Sequence, residues 1–186
     1  QMDDKANAVM IANLPFAMRD DHPDAVALTM AGHLIGGGFL NSRLSKRIRD
    51  EEGLSYSVSG GFSYGPIDED ASFSGFAMFA PENRERLLEV FKAEIDLWLN
   101  EGFSEEELNA GRTGFLQQQA LARANDNFLV NVLAYNRYLG RSMEHQIMFE
   151  QAIRELSTAD INSAVRRHLD PEGLTIVVAG DFEASE

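Results

Sequence analysis

Asn41-Ser-Arg43-Leu-Ser-Lys46-Arg47-Ile-Arg49-Asp50-Glu51-Glu52-Gly53-Leu54-Ser55-Tyr56-Ser57-Val58 is the stretch on which the reading of the fold turns. Leu40, Leu44 and Ile48 recur every four residues, which predicts a short helix over Asn41 to Glu51 with one buried side. Arg43, Lys46, Arg47 and Arg49 spread over the rest of that helix, and a solvated face is the expected place for the first three. Gly53 is placed to end the helix. From Leu54 to Tyr64 small, aromatic and β-branched residues alternate, as in a strand, up to Gly65-Pro66. A helix that stops and reverses into a strand can bring an arginine and a tyrosine seven residues apart, Arg49 and Tyr56, onto one surface.

Working outward, Ala71 to Ala80 alternates again, so the two runs form a β-hairpin around the loop Gly65–Asp70. Upstream, Ala8 to Leu14 is a short apolar run that reads as a buried strand ended by Pro15. Ala27, Leu28, Ala31, Leu34 and Ile35 then fall at helical spacing behind Pro23, and Gly36-Gly37-Gly38 stops that helix. Downstream, Leu88, Phe91, Ile95 and Trp98 form a helical stripe. Ser104 with Glu107 makes a capping box for the next helix, Asn125 caps another, a fourth runs from about Met143 to Leu156, and Ser157 with Asp160 opens the last. Leu174 to Ala179 reads as a buried strand. The order β-α-α-β-β-α-α-α-α-α-β places strands from far apart in the chain in one sheet. That is an α+β fold: a mixed, mainly antiparallel sheet with helices packed on it, in a single domain over residues 1–186. The abrupt openings at both ends predict a domain cut from a longer chain.

Composition narrows the functions. Thirty acidic against sixteen basic residues give a net charge of −14, which repels phosphate backbones and excludes nucleic acid as a partner. The absence of cysteine excludes disulfides, thiol catalysis and thiolate metal sites. No apolar run approaches the roughly 20 residues of a membrane span, so no membrane insertion is expected.

Self-contained chemistry is hard to find. His22, His33, His145 and His168 are the candidate nitrogen ligands, and no two lie three to five residues apart as a helical metal pair requires. Arg141-Ser-Met-Glu144-His145 has the shape of an inverted zinc motif with arginine at the first ligand position, and arginine cannot ligate a cation. Gly36-Gly37-Gly38 lacks the Lys-Ser/Thr of a phosphate loop. Asp68-x-Asp70 lacks the glycine and closing glutamate of a calcium loop. Gly53-Leu-Ser55-Tyr-Ser57 lacks the second glycine of a nucleophile elbow.

Gly36-Gly37-Gly38-Phe39-Leu40-Asn41-Ser42-Arg43-Leu44, followed by Arg49-x-x-x-Gly53-Leu54-Ser55-Tyr56-Ser57-Val58, resembles the insulinase/pitrilysin family of zinc peptidases, which includes the mitochondrial processing peptidases. Asn7 to Leu14 is similar to that family's first strand and Leu174 to Asp181 to the closing strand of its repeated domain. The resemblance implies homologous α+β domains arranged as two halves around a closed chamber. One domain carries zinc on His-x-x-Glu-His and a further Glu; a domain in the opposite half lacks the motif and supplies an arginine and a tyrosine. This chain resembles the second kind, with Arg49 and Tyr56 as the pair. It implies no metal and no cofactor in this domain, zinc in a homologous partner domain of the same or another chain, and a peptide substrate. On that reading Tyr56 donates to the scissile carbonyl oxygen as charge develops, and the fixed fork of Arg49 holds substrate carbonyls. The domain alone is expected to be inactive, its parent a zinc-dependent endopeptidase. Without the resemblance, Arg49 reads as a partner of Asp50, Glu51 or Glu52 and Tyr56 as an ordinary strand tyrosine. A catalytically silent structural or assembly domain of the same fold is the alternative. Family members with acidic, cysteine-free chains are often exported, which inclines the compartment to a bacterial periplasm, with the cytoplasm as the alternative.

Overall fold

The computed structural model describes residues 7–38 and 41–182, so Leu40 and the two chain ends read above lie outside the described residues. Four strands form one sheet in the order β2-β3-β1-β4. They are β1 (Ala8–Phe16), β2 (Ser55–Tyr64), β3 (Ala71–Phe79) and β4 (Thr175–Ala179). Every pairing is antiparallel, so the sheet is purely antiparallel where a mixed one was expected, the sole parallel element among the described residues being an isolated bridge between Arg19 and Gly65. The helices are α1 (Ala25–Gly32), α2 (Arg84–Asn100), α3 (Glu105–Arg123), α4 (Asp126–Tyr138), α5 (Glu144–Glu155) and α6 (Thr158–His168). No helix of the described residues is long and apolar enough to cross a membrane.

The sheet has one covered and one open face. Ala8, Met10, Ala12 and Leu14 of β1 and Phe73, Ala77 and Phe79 of β3 are buried, facing the helices. Their neighbours point the other way, so β1 is half-buried and not the fully buried strand its apolar run predicts. Ile11 is 53% exposed and, on β4, Val177 is 59% exposed. β4 is likewise an edge strand with alternating exposure. The strand β1 also runs through Pro15, which pairs with Ser72. On the other side β4 reaches only to Asn13, which leaves residue 15 one side with no strand to bond, and proline is tolerated in such a position.

The covered face is closed by close approaches at glycine. A Cβ on Gly36 would lie 2.1 Å from the backbone nitrogen of Gly60, and one on Gly32 would lie 3.1 Å from that of Phe62. A Cβ on Gly75 would enter the ring of Phe91 on α2. The chain therefore lies flush on β2 and β3, with Ile35, Leu44 and Ile48 buried behind the seam. The Gly36-Gly37-Gly38 run does not simply stop a helix. After Gly32 the helix widens into a π-type turn, His33–Gly37, closed by Gly38 N–H donating to His33 O at 2.7 Å. The basic segment widens in the same way over Ser45–Glu51.

The expected caps are present. Ser104 Oγ accepts from Glu107 N–H and Ser157 Oγ from Asp160 N–H, both at 3.2 Å, and Asn125 Oδ1 accepts from Phe128 N–H at 3.1 Å. Trp98 is wholly buried, with its indole N–H donating to Glu94 3.2 Å away. Burial pushes the Glu94 carboxyl above its ordinary value against that hydrogen bond and the nearby arginines.

Because the Gly36 contact is backbone against backbone, neither side can yield without moving a strand. Gly36→Ala is expected to destabilise the chain by about 3 kcal/mol or more, by overpacking. Gly53→Ala, where a Cβ meets nothing within 4 Å but φ is +66°, should cost only about 1–2 kcal/mol. Urea melts of the two variants test the ordering.

Candidate functional site

The candidate site begins where the basic helix ends. Glu52 N–H donates to Arg47 O at 3.1 Å and Leu54 N–H to Ile48 O at 2.9 Å, and Gly53 in the left-handed region turns the chain into β2. At the first step of β2 the register slips: Ser55 pairs with Phe79 but Ser57 with Met78, so Tyr56 is the extra residue of a β-bulge. A bulge turns a side chain out of the regular alternation. Ser55 pins it, its hydroxyl lying 2.6 Å from Met78 O and 2.9 Å from Ser57 O while accepting Ser57 N–H at 3.2 Å. Sequence reasoning gave Ser55 no role; its place beside the tyrosine was visible, but the bulge that gives it a task is a register effect.

Tyr56 is consequently 71% exposed, with its hydroxyl donating only to the Met78 sulfur at 3.1 Å. A thioether is a weak acceptor, so the phenol proton is readily redirected to a stronger one. Around it the open sheet face carries Val9, Ile11, Phe76, Met78 and Val177, with Asn13 Nδ2 donating to Ser74 Oγ at 3.1 Å further along. The surface is an apolar floor with one phenol standing above it.

Arg49 lies on the basic helix with its side chain 27% exposed, its Nε donating to Asp50 Oδ1 at 2.8 Å. That hydrogen bond holds the Asp50 carboxyl below its ordinary value. The structure thus gives Arg49 the acidic partner that the plain reading of the sequence offered. It does not join the pair: among the described residues no hydrogen bond or guanidinium-over-ring contact links Arg49 to Tyr56. An exposed ion pair of this kind contributes about 0–1 kcal/mol, so the guanidinium is easily recruited by another acceptor.

The other basic residues divide. Lys46 is exposed, and Arg47 reaches Glu51 at 2.8 Å and Glu52 at 3.1 Å, as a solvated helix face would. Arg43 does not fit that expectation. It forks onto Glu107 at 2.6 and 2.8 Å, donates to Gly102 O at 2.7 Å and stacks 4.5 Å from the Phe103 ring centre. It clamps the basic helix to the start of α3, a role set by residues some sixty positions away and so invisible in local spacing. Burial alone would raise the Glu107 carboxyl, but Arg43, with the Ser104 backbone and hydroxyl, lowers it to about 2.

The zinc motif of the implied family has no counterpart here. Arg141, at the first ligand position of the inverted motif, forks onto Asp20 at 2.5 and 2.8 Å, and those residues do not fit a cation. The Asp68–Asp70 loop is exposed, as a hairpin turn should be. Tertiary folding does what spacing could not for the histidines, bringing His22 and His168 to Asp24.

A family model described as the peptidase M16 inactive domain matches residues 1–115. The chain belongs to that family. This M16 domain is 23% identical over 178 residues to the non-peptidase homolog YmxG of Helicobacter pylori, covering 96% of the chain but 40% of that protein. The chain therefore spans well under half the length of the curated relative it matches. Its fold is that of a peptidase M16 inactive domain from Pseudomonas fluorescens, with a TM-score of 0.80 and 24% identity over 94% of this chain and 40% of that one. A Bordetella parapertussis structure described as an inactive peptidase domain matches with a TM-score of 0.77 and 18% identity, over 93% of this chain and 92% of the other.

The Arg43 clamp of this M16 domain carries a pH signature. A carboxyl at about 2 in the folded chain and near its ordinary 4.5 in the unfolded one contributes stability that is fully present above about pH 4.5. That contribution is lost as the pH falls from about 4.5 towards 2. Arg43→Ala should cost about 2 kcal/mol at pH 7, with the gap to the unmodified chain narrowing across that window in urea melts.

Proposed function

We propose that the domain is the non-zinc half of an insulinase-like peptidase, which lines the chamber wall and binds peptide on the open sheet face opposite a homologous zinc-binding domain. The observation that carries this reading is Tyr56, set out by a pinned β-bulge onto an apolar floor with its hydroxyl on nothing stronger than a thioether. A phenol so placed suits a carbonyl oxygen that gains negative charge as its peptide bond is attacked. Arg49, held by one exposed carboxylate, is the companion that exchanges Asp50 for substrate carbonyls. Neither residue generates the nucleophile. The zinc and the general-base glutamate belong to the partner, whose metal supplies the activated water.

The fold also leaves an uncovered surface on its helical side, where a further domain of the assembled protein would pack. Asn136 is the sole buried residue of α4, while Val130, Leu133, Tyr135 and Tyr138 on it are exposed large apolar side chains. A thirteen-residue helix with so little core contact is marginal by itself, and a covering domain would stabilise it. The relative that is longer than this chain has the length for one.

A silent structural role is the second reading, and one observation favours it: the H. pylori relative is described as a non-peptidase. In the assembled protein the two readings separate. Tyr56→Phe is expected to lower kcat by about 10²–10³ with the melting temperature unchanged, and Arg49→Ala to raise KM. Turnover unchanged in both variants, with peptide binding by fluorescence anisotropy also unchanged, supports the silent scaffold and overturns the first reading.

A further inference from the structure

At the other end of the sheet from Tyr56, where β1 finishes at Phe16, the start of α1 meets the end of α6. His168 Nε2 lies 2.9 Å from Asp24 Oδ2, and His22 Nδ1 lies 3.9 Å from the same oxygen. One ligand atom from each of the three residues can be chosen so that all lie within 4.8 Å of one another. The two imidazoles stand edge to face at 5.4 Å, and the His168 ring rests 5.1 Å from Phe16. Asp24 is the N-cap residue of α1, yet its carboxylate makes no cap bond to that helix because it is turned to α6.

We propose that His22, Asp24 and His168 form a binding site for a divalent transition-metal ion, zinc in the first instance. Two imidazoles and a carboxylate are the donor set that borderline ions prefer. Three protein ligands leave a fourth, outward position for water. The ligand atoms come from two elements already held together, so little ordering remains to be done on binding. His22 Nδ1 accepts the Asp24 backbone N–H at 3.1 Å, a hydrogen bond that a metal ion taking that nitrogen must replace. His168 is fixed by the Phe16 ring on one side and the carboxylate on the other.

One side chain also competes with the metal. Arg167 forks onto Asp24 at 2.9 and 2.6 Å, and a cation at the site must take that carboxylate from it. The arginine side chain is 55% exposed and can swing into solvent. The Asp24 side chain is only 13% exposed, so giving up this fork sets affinity back by roughly fivefold or more, and the metal's charge then replaces the guanidinium's beside the carboxylate. The chain thus has two closed states at this corner, arginine on Asp24 or metal on Asp24, each tying α1 to α6. This site is independent of the peptide-binding reading above and stands or falls without it.

Zinc ion titrated into the full chain against a chromophoric chelator is the test, with cobalt ion absorption reporting coordination number. One equivalent per chain is expected, weakened about tenfold or more by His22→Ala and by His168→Ala and tightened several-fold by Arg167→Ala. His22 is exposed, so its loss leaves the fold intact even where the His168 variant does not fold. No saturable binding, or binding that His22→Ala leaves unchanged, overturns the site. Equal affinity with and without Arg167 overturns the exchange at Asp24.

Discussion

The approach of Gly36 to Gly60 sets the geometry of everything around it. At that point helix backbone and strand backbone touch with no side chain between them. The contact fixes the height at which the chain leaving α1 crosses β2, and so fixes where the basic helix starts its return. Leu44 and Ile35 fill the space beside the seam: a Cβ on Gly60 would meet both. Close packing of this kind tolerates no added methyl, because a dense interior transmits the displacement to its neighbours. The widened turns on both sides follow from the same demand, since a π-type turn shifts the helix axis without breaking the chain of hydrogen bonds.

From that seam the arrangement of Tyr56 follows by steps. The basic helix is held from behind by the Arg43 fork on Glu107 and turned by Gly53 into β2. Its exit is then out of phase with β3 by one residue, and the bulge absorbs the mismatch. The tyrosine is displayed because the strand could not otherwise pair. A feature that serves substrate on our proposal is thus also what the packing of the covered face requires.

Local features were the legible ones. Ser104, Asn125 and Ser157 each announced a helix start because a cap depends on residues within a turn of one another. Gly53 and the Gly65–Asp70 loop were readable for the same reason. What spacing concealed was set by distant partners. The β1 and β4 runs read as buried strands because composition does not say whether a second layer of helices covers the other face. Arg43 read as a surface residue because Glu107 and Gly102 are far along the chain. The convergence of His22 and His168 could not be seen for the same reason, and neither could the bulge at Tyr56, which exists only relative to β3. The arginine–tyrosine pair came from a resemblance, and the structure adds the bulge to the tyrosine without joining it to the arginine.

The position of β1 in the sheet has a further effect on how the molecule comes into being. Its two neighbours are β3 and β4, and the second pairing sets Val9 against Ala179. During synthesis β3, brought in with β2 as a hairpin, arrives first, whereas the other edge of β1 stays open until α2 to α6 have also been made. Loop closure over such a span is slow, and an open strand edge is a template for pairing with a stranger. The apolar Val9 and Ile11 lie on that same strand, so the interval before β4 docks is when the nascent chain most needs shielding, and the arrival of a five-residue strand closes that edge of β1.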